Sequence, residues 1–384
     1  MRSITIGLLG LGTVGQALVQ LIQESYPDIQ ITRALVRQTD RPRKVLVPLT
    51  INPDDILYDP TIDIVVDVMG GQQPAFKWLS TALQRDKDVV TANKEVMAYR
   101  GPQLLELAHQ HHRELLYEAS VAGGIPLLDA LSHHLALVPA TRIEGVLNGT
   151  CNFILSLMEQ GDNYPKALAE AQRMGYAEQD PSADVLGFDT ARKLVLLSRL
   201  GFHAEVAAEF PAVRGIDGVT ASDVGRLASF GCGMRLVGSA ALQANRLLLS
   251  VTPTVFRKGH PFLGLQGPQN AVQVVTAAGT FWFQGPGAGG LATATSILSD
   301  ILRIRRSVPD REANVATQYP IARFEHPIIC FSQDPDRALP LALSGELRRT
   351  EHYAILSSRL SLTDEDLWGL RQFEWGEEEE PTFR

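Results

Sequence analysis

The stretch SITIGLLGLGTVG, residues 3–15, has the pattern that decides the fold. A short run of β-type residues enters a GxGxxG motif, and residues 16–23 then have the character of a helix. Gly10 would make a tight turn, Gly12 would let the backbone approach a pyrophosphate, and Gly15 would let helix and strand pack closely. This context predicts a dinucleotide site at a helix N-terminus, with an ordinary glycine-rich turn as the alternative. The residues assigned to the site are Gly10, Gly12, Thr13, Val14 and Gly15.

The second predicted strand, residues 29–36, indicates which dinucleotide binds. An NAD site carries an acid near the end of this strand, where it binds the ribose 2′-hydroxyl. This chain has Arg37 there, and Arg41, Arg43 and Lys44 follow. Since arginine suits a 2′-phosphate, the cofactor is predicted to be NADP, and NAD remains open. The alternative interpretation of the cluster is a solvated basic loop.

Strands and helices alternate through the first third of the chain. Strands are predicted at residues 63–69, 88–90 and 115–118, and helices at residues 74–84 and 102–112. This alternation is typical of an α/β fold with a Rossmann-type parallel sheet, whose ligands bind beyond the carboxyl ends of the strands. Asn93 and Lys94 follow one such end. A lysine there suits a phosphate or a substrate carbonyl, although such a lysine is more often a surface residue.

The pattern changes after Pro126 and indicates a second, α+β domain. Helices are predicted at residues 127–137, up to 159, at 165–174 and at 292–304, and strands at 141–147, at 246–252 and within 271–283. Gly175 would close the helix at 165–174. The last helix is expected to pack back on the first domain. We therefore expect a Rossmann domain over residues 1–125, a substrate and dimerisation domain over 126–306, and an extension over 307–384.

Residues 175–201, GYAEQDPSADVLGFDTARKLVLLSRLG, carry the candidate chemistry. Four acids precede an apolar helix, and Asp189 lies four residues before Lys193, so the two side chains share one helix face. Because Leu-Val-Leu-Leu follows, we expect the helix to be buried nearly all round, with the pair at the edge of the core. This arrangement favours a lysine that transfers protons. The alternative is a helix-supporting ion pair behind a solvated acidic loop.

Length, charge and cysteine content narrow the class of protein. The chain has 384 residues, which is room for two domains, and 45% hydrophobic residues, which allows ordinary cores. A net charge of -8 argues against nucleic acid or an anionic membrane surface as a partner. Cys151, Cys232 and Cys330 form no CxxC pair, which favours the reducing cytoplasm and argues against a zinc site.

Eight sequence blocks occur in series between about residue 4 and about residue 305. They read GLLGLGTVG, VVDVMGG, VVTANKE, YEASVAGGIP, EGVLNGTCNFIL, GYAEQDPSADVLGFDTARK, HPFLGLQGPQNAV and GPGAGGLATATSILSDI. In this order they resemble the homoserine dehydrogenase family. The resemblance implies reversible reduction of L-aspartate 4-semialdehyde to L-homoserine by NAD(P)H, on the route to threonine and methionine. It also implies a homodimer or higher homo-oligomer. No aspartokinase segment precedes residue 1, so we expect the monofunctional form.

The resemblance assigns roles to individual residues. The catalytic residues would be Lys193, the family's proton donor, and Asp189. The substrate-binding residues would be Glu178, Asp184 and Lys94, and Lys94 would also approach the cofactor. Gly175 and Gly289 match glycines that contact the nucleotide, and Arg37 matches a basic residue at the 2′-phosphate. Oxygen atoms of Glu118, Val121, Gly123 and Ile125 match positions that bind a sodium ion.

Two other functions stay open at this point. A catalytically idle NADP-binding sensor or scaffold would keep the fold, and such a protein is expected to lack the lysines that are present here. A related semialdehyde or amino acid oxidoreductase with another substrate would keep both fold and lysines. Only an assay with a defined substrate separates the second alternative from the family's own reaction.

The C-terminal extension does not clearly resemble the ACT-type regulatory domain of some homologues. Its run WGEEEEP, residues 375–381, is charged and short of apolar residues, so we expect a solvated acidic tail outside any core. Truncation after Gly369 is then expected to leave a folded, active protein.

Overall fold

Two compact units divide the chain. The computed structural model describes residues 3–208, 212–306, 321–323, 328–331, 347–350, 353–356 and 371–375. Unit 1 comprises Met1–Ile143, Arg192–Glu209 and Gln269–Tyr319, and unit 2 comprises Glu144–Ala191, Phe210–Pro268 and Pro320–Arg384. The expected domain borders after residues 125 and 306 divide the chain differently, and they stay a prediction about functional domains.

The elements follow one another in an order that separates an α/β part from a strand-rich part. The first are β1 (Ile4–Leu9), α1 (Thr13–Ser25), β2 (Ile29–Leu35), β3 (Leu49–Thr50), α2 (Asp54–Leu57), β4 (Ile64–Asp67), α3 (Ala75–Gln84), β5 (Asp88–Thr91), α4 (Lys94–Gln110) and β6 (Leu115–Leu116). Next come the helical turns Glu118–Ser120, Ala130–His134 and Leu135–Leu137, then β7 (Ala140–Val146), α5 (Gly149–Glu159), α6 (Tyr164–Arg173), α7 (Ser182–Val185), α8 (Phe188–Gly201) and α9 (Ala221–Ser229). The remainder comprises β8 (Cys232–Gln243), β9 (Arg246–Arg257), the turn Pro261–Gly264, β10 (Gln269–Thr276), β11 (Gly279–Pro286), α10 (Gly290–Arg305), β12 (Ile321–Arg323), β13 (Ile328–Phe331), β14 (Leu347–Thr350), β15 (Tyr353–Leu356) and β16 (Arg371–Trp375).

A six-stranded parallel sheet forms the centre of unit 1. Its strand order is β3-β2-β1-β4-β5-β6, and all neighbouring pairs are parallel. The runs Ile-Val-Val in β4 and Val-Val in β5 are buried, as expected for strands covered on both faces. The predicted α/β fold with a Rossmann-type sheet is therefore confirmed.

Helix α10 shares the core of unit 1 with α1. Its buried residues Ala294, Ile297, Leu298 and Ile301 belong to the same apolar cluster as Leu18, Val19 and Ile22 of α1. Their spacing of three and four residues places them on one helix face, which accounts for the amphipathic pattern of the sequence. The last regular helix of the described chain thus completes the core that the first helix begins.

Antiparallel pairs supply much of the remaining sheet structure. In unit 1, β10 and β11 pair over eight residues each. In unit 2, β8 and β9 form a hairpin of twelve-residue strands. The hairpin turns at Ala244 and Asn245, whose φ values of 46° and 61° match the left-handed turn that the twist of a hairpin favours. The expected strand at residues 246–252 is therefore longer than its sequence pattern indicated.

Three sequence-based boundaries are wrong by several residues. The helix expected at 16–23 begins already at Thr13, and the strand expected at 115–118 ends at Leu116 and is followed by a short helical turn. The helix expected at 102–112 begins at Lys94 and contains Pro102 in its interior. Proline usually marks a helix start, but here Asn93, nine residues before Pro102, caps the helix, and Pro102 is tolerated in its interior.

The C-terminal extension contributes strands to unit 2, and their pairing leads us to expect the opposite outcome of truncation after Gly369 from the one that the sequence indicated. Strand β16 pairs with β9 in parallel, through Glu374 opposite Thr254, and with β13 in antiparallel fashion. Strands β15 and β14 follow β13 in the sheet, and β12 pairs with β9. The acidic run at residues 376–381 lies outside the described residues. None of the helices in the described part of the chain has the length and apolar character needed to cross a bilayer.

Truncation after Gly369 would remove β16, which lies between β9 and β13 in the sheet. Because both neighbours would then expose unpaired backbone groups, we expect a lower thermal unfolding midpoint and a lower soluble yield. The matched control is truncation after Trp375, which keeps all of these strand pairs. Equal midpoints for the two shortened proteins would contradict the position of β16 between its neighbours.

Candidate active site

The turn after β1 forms a glycine cradle in unit 1. Gly10 has a φ of +102°, a conformation that suits glycine. A Cβ atom on Gly15 would lie 2.6 Å from the carbonyl oxygen of Gly10, so the close approach of helix to strand requires glycine there. Within the described residues, a Cβ atom on Gly12 would meet nothing within 4 Å. The surface above Gly12 is therefore open, and the backbone can approach a pyrophosphate.

The N-terminus of α1 is suited to bind an anion. Gly12 provides no side-chain cap, and the first turn contains no acidic residue. The first N–H groups of a helix lack partners within the helix, and they carry a partial positive charge. Because Gly12 and Thr13 are exposed, these groups face accessible space and fit the phosphates of a dinucleotide.

The start of α10 lies against the same turn. A Cβ atom on Gly290 would lie 3.0 Å from Cγ2 of Thr13 and 3.6 Å from Cβ of Ala17. Gly289, the preceding residue, is exposed and has a φ of +120°. The structure thus brings together, within unit 1, six of the residues assigned to the cofactor: Gly10, Gly12, Thr13, Val14, Gly15 and Gly289.

The basic cluster after β2 divides into residues with different surroundings. Arg37 is exposed just beyond the end of the strand. The guanidinium of Arg43 instead donates hydrogen bonds to the backbone carbonyl oxygens of Gln38, Thr39 and Arg41, at 2.6, 3.3 and 2.8 Å. The N–H of Lys44 donates to Oε1 of Gln16 in α1, at 2.8 Å. Arg43 therefore shapes the loop, whereas Arg37 is available at the surface.

A buried hydrogen-bond network joins the ends of β4 and β5. Asp67 is fully buried, and its Oδ1 accepts the N–H of Met69 while its Oδ2 accepts the hydroxyl of Thr91, both at 2.9 Å. Burial raises the pKa of Asp67 to about 6, and the two hydrogen bonds oppose that rise because they favour the carboxylate. The carboxylate of Asp67 thereby fixes the carboxyl ends of β4 and β5, and parallel sheets of this type bind their ligands beyond such ends.

Asn93 continues this network into the start of α4. Its N–H donates to Oγ1 of Thr91 at 3.0 Å, and its side-chain amide donates to the carbonyl oxygen of Gly71 at 2.8 Å. Its side-chain oxygen accepts the N–H of Val96 at 3.1 Å and caps the helix. Lys94 is therefore the first residue of α4, and it is half-buried at the carboxyl end of the sheet, as the sequence predicted.

In unit 2, one amide holds two of the predicted acids. The side-chain nitrogen of Asn148 donates to Oδ1 of Asp184 at 2.7 Å and to Oδ2 of Asp189 at 2.9 Å. Its side-chain oxygen accepts the N–H of Cys151 and caps α5, at 2.8 Å. A primary amide has only two N–H donors, and both are used. Asn148 therefore sets the separation of Asp184 and Asp189.

Helix α8 carries Asp189 and Lys193 in a buried environment. The two side chains are 4% and 9% exposed, and Leu194, Val195 and Leu197 are fully buried. The expectation of a helix buried nearly all round is confirmed. The two side chains therefore do not lie on a solvated surface, and the choice between a proton-transferring lysine and a helix-supporting ion pair stays a prediction.

Gly175 and Glu178 lie in the exposed loop after α6. Gly175 has a φ of +75° and follows the C-cap residue Met174, as predicted for a helix-closing glycine. Glu178 is exposed, and its backbone carbonyl accepts a hydrogen bond from the side chain of Gln172 at 3.1 Å. The loop that bears both predicted residues is therefore ordered by α6, while the carboxylate of Glu178 points to accessible surface.

The segment after β6 presents the four predicted sodium positions in a tight turn. Glu118, Val121, Gly123 and Ile125 are buried, and both Ala122 and Gly123 have a φ of 55°. The carbonyl oxygen of Gly123 accepts the hydroxyl of Ser296 at 2.7 Å. Among the described residues, no group of three or more His, Cys, Asp and Glu side chains could hold a metal ion. Any cation at this turn would therefore rely on backbone oxygens.

Two buried carboxyl groups meet at the same turn. The carboxylate of Glu118 accepts the N–H groups of Leu127, Leu128 and Asp129, at 2.7, 2.9 and 2.5 Å. The N–H of Glu118 donates to Oδ2 of Asp300 at 3.0 Å. Burial, together with the charge of Glu118, raises the pKa of Asp300 to about 8, and burial also raises the pKa of Glu118. At neutral pH the carboxyl group of Asp300 is therefore largely protonated, and the pair carries less than two negative charges.

Sequence reasoning missed the positions that hold the predicted residues in place. Asp67 sits inside the block VVDVMGG and Asn148 inside EGVLNGTCNFIL, yet neither was assigned a role. An asparagine before a helix is a capping signature, which could have located Asn148 as the start of α5. No sequence signal could show that its amide reaches Asp184 and Asp189, which lie 36 and 41 residues away.

Comparisons with known proteins agree with this geometry. A family model described as "Homoserine dehydrogenase, NAD binding domain" matches residues 10–118, and one described as "Homoserine dehydrogenase" matches residues 126–302. The homoserine dehydrogenase of Bacillus subtilis is 39% identical over 321 residues, which cover 80% of this chain and 74% of the relative. That of a Synechocystis species is 38% identical over 343 residues, with 85% and 79% covered.

Solved structures of similar proteins cover most or all of the chain. A homoserine dehydrogenase from Thiobacillus denitrificans matches with a TM-score of 0.87 at 29% identity, covering 97% of this chain and 98% of that one. A hyperthermophilic archaeal homoserine dehydrogenase in complex with NADPH matches with a TM-score of 0.69 at 26% identity, covering 81% and 100%.

The raised pKa of Asp67 predicts a pH-dependent stability. Between its unfolded pKa of 3.8 and its folded pKa of about 6, the folded state binds the extra proton. The free energy of unfolding therefore falls as pH rises through this window, by roughly 3 kcal/mol for a shift of this size. We expect Asp67→Asn to gain stability relative to the unmodified protein between pH 4.5 and pH 7, measured by denaturant unfolding. Asp54→Asn, at an exposed position, is the control; a pH-independent difference for Asp67→Asn would contradict the assignment.

Proposed function

Because the chain belongs to the homoserine dehydrogenase family, we propose that Lys193 and Asp189 catalyse the family's reaction. That reaction is the reversible, NAD(P)-dependent reduction of L-aspartate 4-semialdehyde to L-homoserine. The observation that carries the proposal is the burial of an acid and a lysine one turn apart on α8, with Asn148 hydrogen-bonded to the acid. Burial removes the competing water that would weaken charge interactions at an exposed pair.

The substrate's charged groups define what its site must contain. The semialdehyde carries an ammonium group, a carboxylate and a reactive carbonyl, so its site needs both acids and cations. We assign Glu178 and Asp184 to the ammonium group, and Lys94 to the carboxylate or carbonyl and to the cofactor. The support for Asp184 is its fixed position beside Asp189. The support for Lys94 is its place at the N-terminus of α4, beyond the carboxyl end of β5.

Lys193 has the role of proton donor in the reducing direction. When the aldehyde carbon is reduced, negative charge develops on the aldehyde oxygen, and a positioned lysine stabilises that charge and donates a proton to it. In the oxidising direction, the neutral lysine accepts the proton of the homoserine hydroxyl. Asn148 keeps the carboxylate of Asp189 in one orientation, one helical turn before Lys193.

The glycine cradle and α1 hold the nicotinamide cofactor, which supplies or accepts the hydride. Gly10, Gly12, Thr13, Val14, Gly15 and Gly289 surround the open space at the helix N-terminus, and we assign Gly175 to the same ligand on the basis of the family resemblance. We propose that NADP is preferred over NAD, since an exposed Arg37 follows β2 where an acid would bind the 2′-hydroxyl. The guanidinium of Arg43 is hydrogen-bonded to the loop backbone, so we assign it a role in shaping the loop and no direct contact with the cofactor.

We propose that a sodium ion binds the backbone oxygens of Glu118, Val121, Gly123 and Ile125. The buried turn with two successive left-handed residues, and the two carboxyl groups beneath it, support this assignment. At constant ionic strength, the thermal midpoint is then expected to be higher in sodium chloride than in choline chloride, because a ligand of the folded state stabilises it. Equal thermal midpoints in sodium chloride and in choline chloride would contradict the sodium assignment.

A cytoplasmic homodimer is the assembly we propose for the chain. The free thiols of Cys151 and Cys232 are compatible with a reducing compartment, and the family resemblance supports the dimer. Light scattering on the purified protein gives the mass that decides between monomer and dimer.

Replacement of Lys193 tests the catalytic assignment. Lys193→Met keeps much of the buried volume but removes the proton donor, so we expect kcat to fall by roughly 10² to 10⁴, while the affinity for the cofactor stays near normal. Asp189→Ala should lower kcat nearly as much, and the double variant little more, because groups that act as a unit are not additive.

The chain offers a matched control for this experiment. Asp162 and Lys166 form an ion pair with the same spacing of four residues, but on the surface. Lys166→Met should leave turnover unchanged. A Lys193→Met protein that keeps more than about a tenth of its turnover would exclude Lys193 as the proton donor.

Replacement of Arg37 tests the cofactor preference. We expect the unmodified enzyme to have a higher kcat/KM with NADPH than with NADH, and Arg37→Ala to lose most of that difference, since the 2′-phosphate loses its cationic partner. Arg33→Ala is the control, because Arg33 lies on β2, the strand that Arg37 follows, but pairs with Asp55 at 3.7 Å. Equal kcat/KM values for the two cofactors in the unmodified enzyme would rule out the preference.

A further inference from the structure

Helix α4 contains a proline that interrupts its own hydrogen bonding. Pro102 lies in the interior of Lys94–Gln110. Proline has no N–H, so it cannot donate to the carbonyl oxygen of Ala98, four residues earlier. An interior proline is strongly unfavourable in a helix, and an unpartnered buried carbonyl adds to that cost. The helix nevertheless continues for eight more residues, from Gln103 to Gln110, so another group must compensate.

Arg199 of α8 supplies the missing donor. Its Nη2 donates to the carbonyl oxygen of Ala98 at 2.7 Å, and its Nη1 donates to that of Met97 at 2.9 Å. Its Nε and Nη2 also donate to the carbonyl oxygen of Val206, at 3.0 and 2.7 Å. Burial lowers the pKa of Arg199, but a guanidinium remains charged throughout the ordinary pH range. The planar guanidinium of Arg199 therefore donates hydrogen bonds to three backbone carbonyl oxygens, those of Met97, Ala98 and Val206.

The residue before the proline makes room for this contact. A Cβ atom on Gly101 would lie 3.4 Å from Nη1 of Arg199 and 3.2 Å from Cε of Met97. Glycine and proline are the two poorest helix formers, yet they occur side by side in the middle of α4. Together they provide a bare helix face and an accepting carbonyl, which is what an approaching guanidinium requires.

The contact joins the two helices that carry the proposed active-site lysines. Lys94 is the first residue of α4, three residues before Met97, and Lys193 lies six residues before Arg199 on α8. A second tie connects the same helices, because Glu95 and Arg192 approach to 3.9 Å. All six of the residues named here belong to unit 1, although α8 itself begins in unit 2. These two contacts between α4 and α8, together with the hydrogen bond by which Asn93 caps α4, therefore hold Lys94 and Lys193 relative to each other.

We propose that Arg199 is a positioning residue for the reaction, which holds α4 to α8 through the carbonyl that Pro102 leaves unbonded. This proposal rests on the proposed roles of Lys94 and Lys193. The guanidinium of Arg199 binds backbone carbonyls of α4 and Val206, and it acts by fixing the distance between the two lysines. A displacement of about 1 Å between reacting groups can lower a rate by about 10²-fold, so a loose tie should be visible in the kinetics.

The first arm of the test replaces Arg199 with lysine. An ammonium group keeps the charge but lacks the planar fork, so it cannot reach all three carbonyls at once. We expect Arg199→Lys to lower kcat/KM for homoserine by about 10- to 100-fold, with the dissociation constant of NADP unchanged. Retention of more than half of the unmodified kcat/KM would overturn the proposal.

The second arm separates positioning from simple stabilisation of α4. Pro102→Ala restores the N–H, so the helix can bond the carbonyl of Ala98 without help from Arg199. Pro102→Ala alone should keep near-normal turnover. In the double variant Arg199→Met/Pro102→Ala, we expect the thermal midpoint to recover toward that of the unmodified protein while kcat/KM stays low. Recovery of both quantities would show that Arg199 only stabilises the helix, and would overturn the proposal.

Two further measurements keep the outcomes distinct. If Arg199→Met alone is insoluble, the Arg199→Lys arm and the double variant still decide. Lys193→Met is assayed in the same series. Loss of activity in Lys193→Met with normal activity in Arg199→Lys would refute the positioning role and leave the proposed function intact. Normal activity in Lys193→Met would instead refute the assignment on which the positioning role rests.

Discussion

A carboxylate buried at the end of β4 is the constraint on which the ligand-facing edge of unit 1 depends. Asp67 is removed from water, and the free energy of burying it is offset only if its oxygens are satisfied. Thr91 and the backbone of Met69 satisfy them, which ties the end of β4 to the end of β5. Asn93 extends the tie to Gly71 and to the first turn of α4. A chain of hydrogen bonds that begins at Asp67 therefore sets the position of Lys94 in unit 1.

Local patterns in the sequence were sufficient for the main parts of the fold. The glycines after β1, the alternation of strands and helices, and the glycine that closes α6 are all determined by neighbours in the chain, and all three were predicted. The start of α4 was predicted wrongly because Pro102 disrupts helical hydrogen bonding locally, whereas the group that compensates for it is distant in the sequence. The donor that makes the proline tolerable is Arg199, nearly a hundred residues later, at a separation of 101 residues from Ala98. The pairing of residues 371–375 with β9 and β13 was not visible for the same reason, since charge content says nothing about pairing between distant strands.

The candidate site shows the same division. The spacing of Asp189 and Lys193 is visible in the sequence because a helix brings residues four apart onto one face. The tie between Asp184 and Asp189 depends on an amide from another element, and only the three-dimensional structure reveals it. The four positions predicted to bind sodium are the ones that the sequence itself could support least. Backbone oxygens bind a cation whatever side chains are attached, so no residue type marks them and only resemblance could suggest them.

The shared core of α1 and α10 has a consequence for the synthesis of the chain. A ribosome adds roughly 5 to 20 residues per second and releases the N-terminal part first. The parallel sheet emerges early, but Ile297 and Ile301, which cover the apolar side of α1, are made only near the end of the described chain. In the interval, the growing chain carries an uncovered apolar surface at the very turn that will bind the dinucleotide. The core of unit 1 is thus complete only after the intervening parts of unit 2 have left the ribosome.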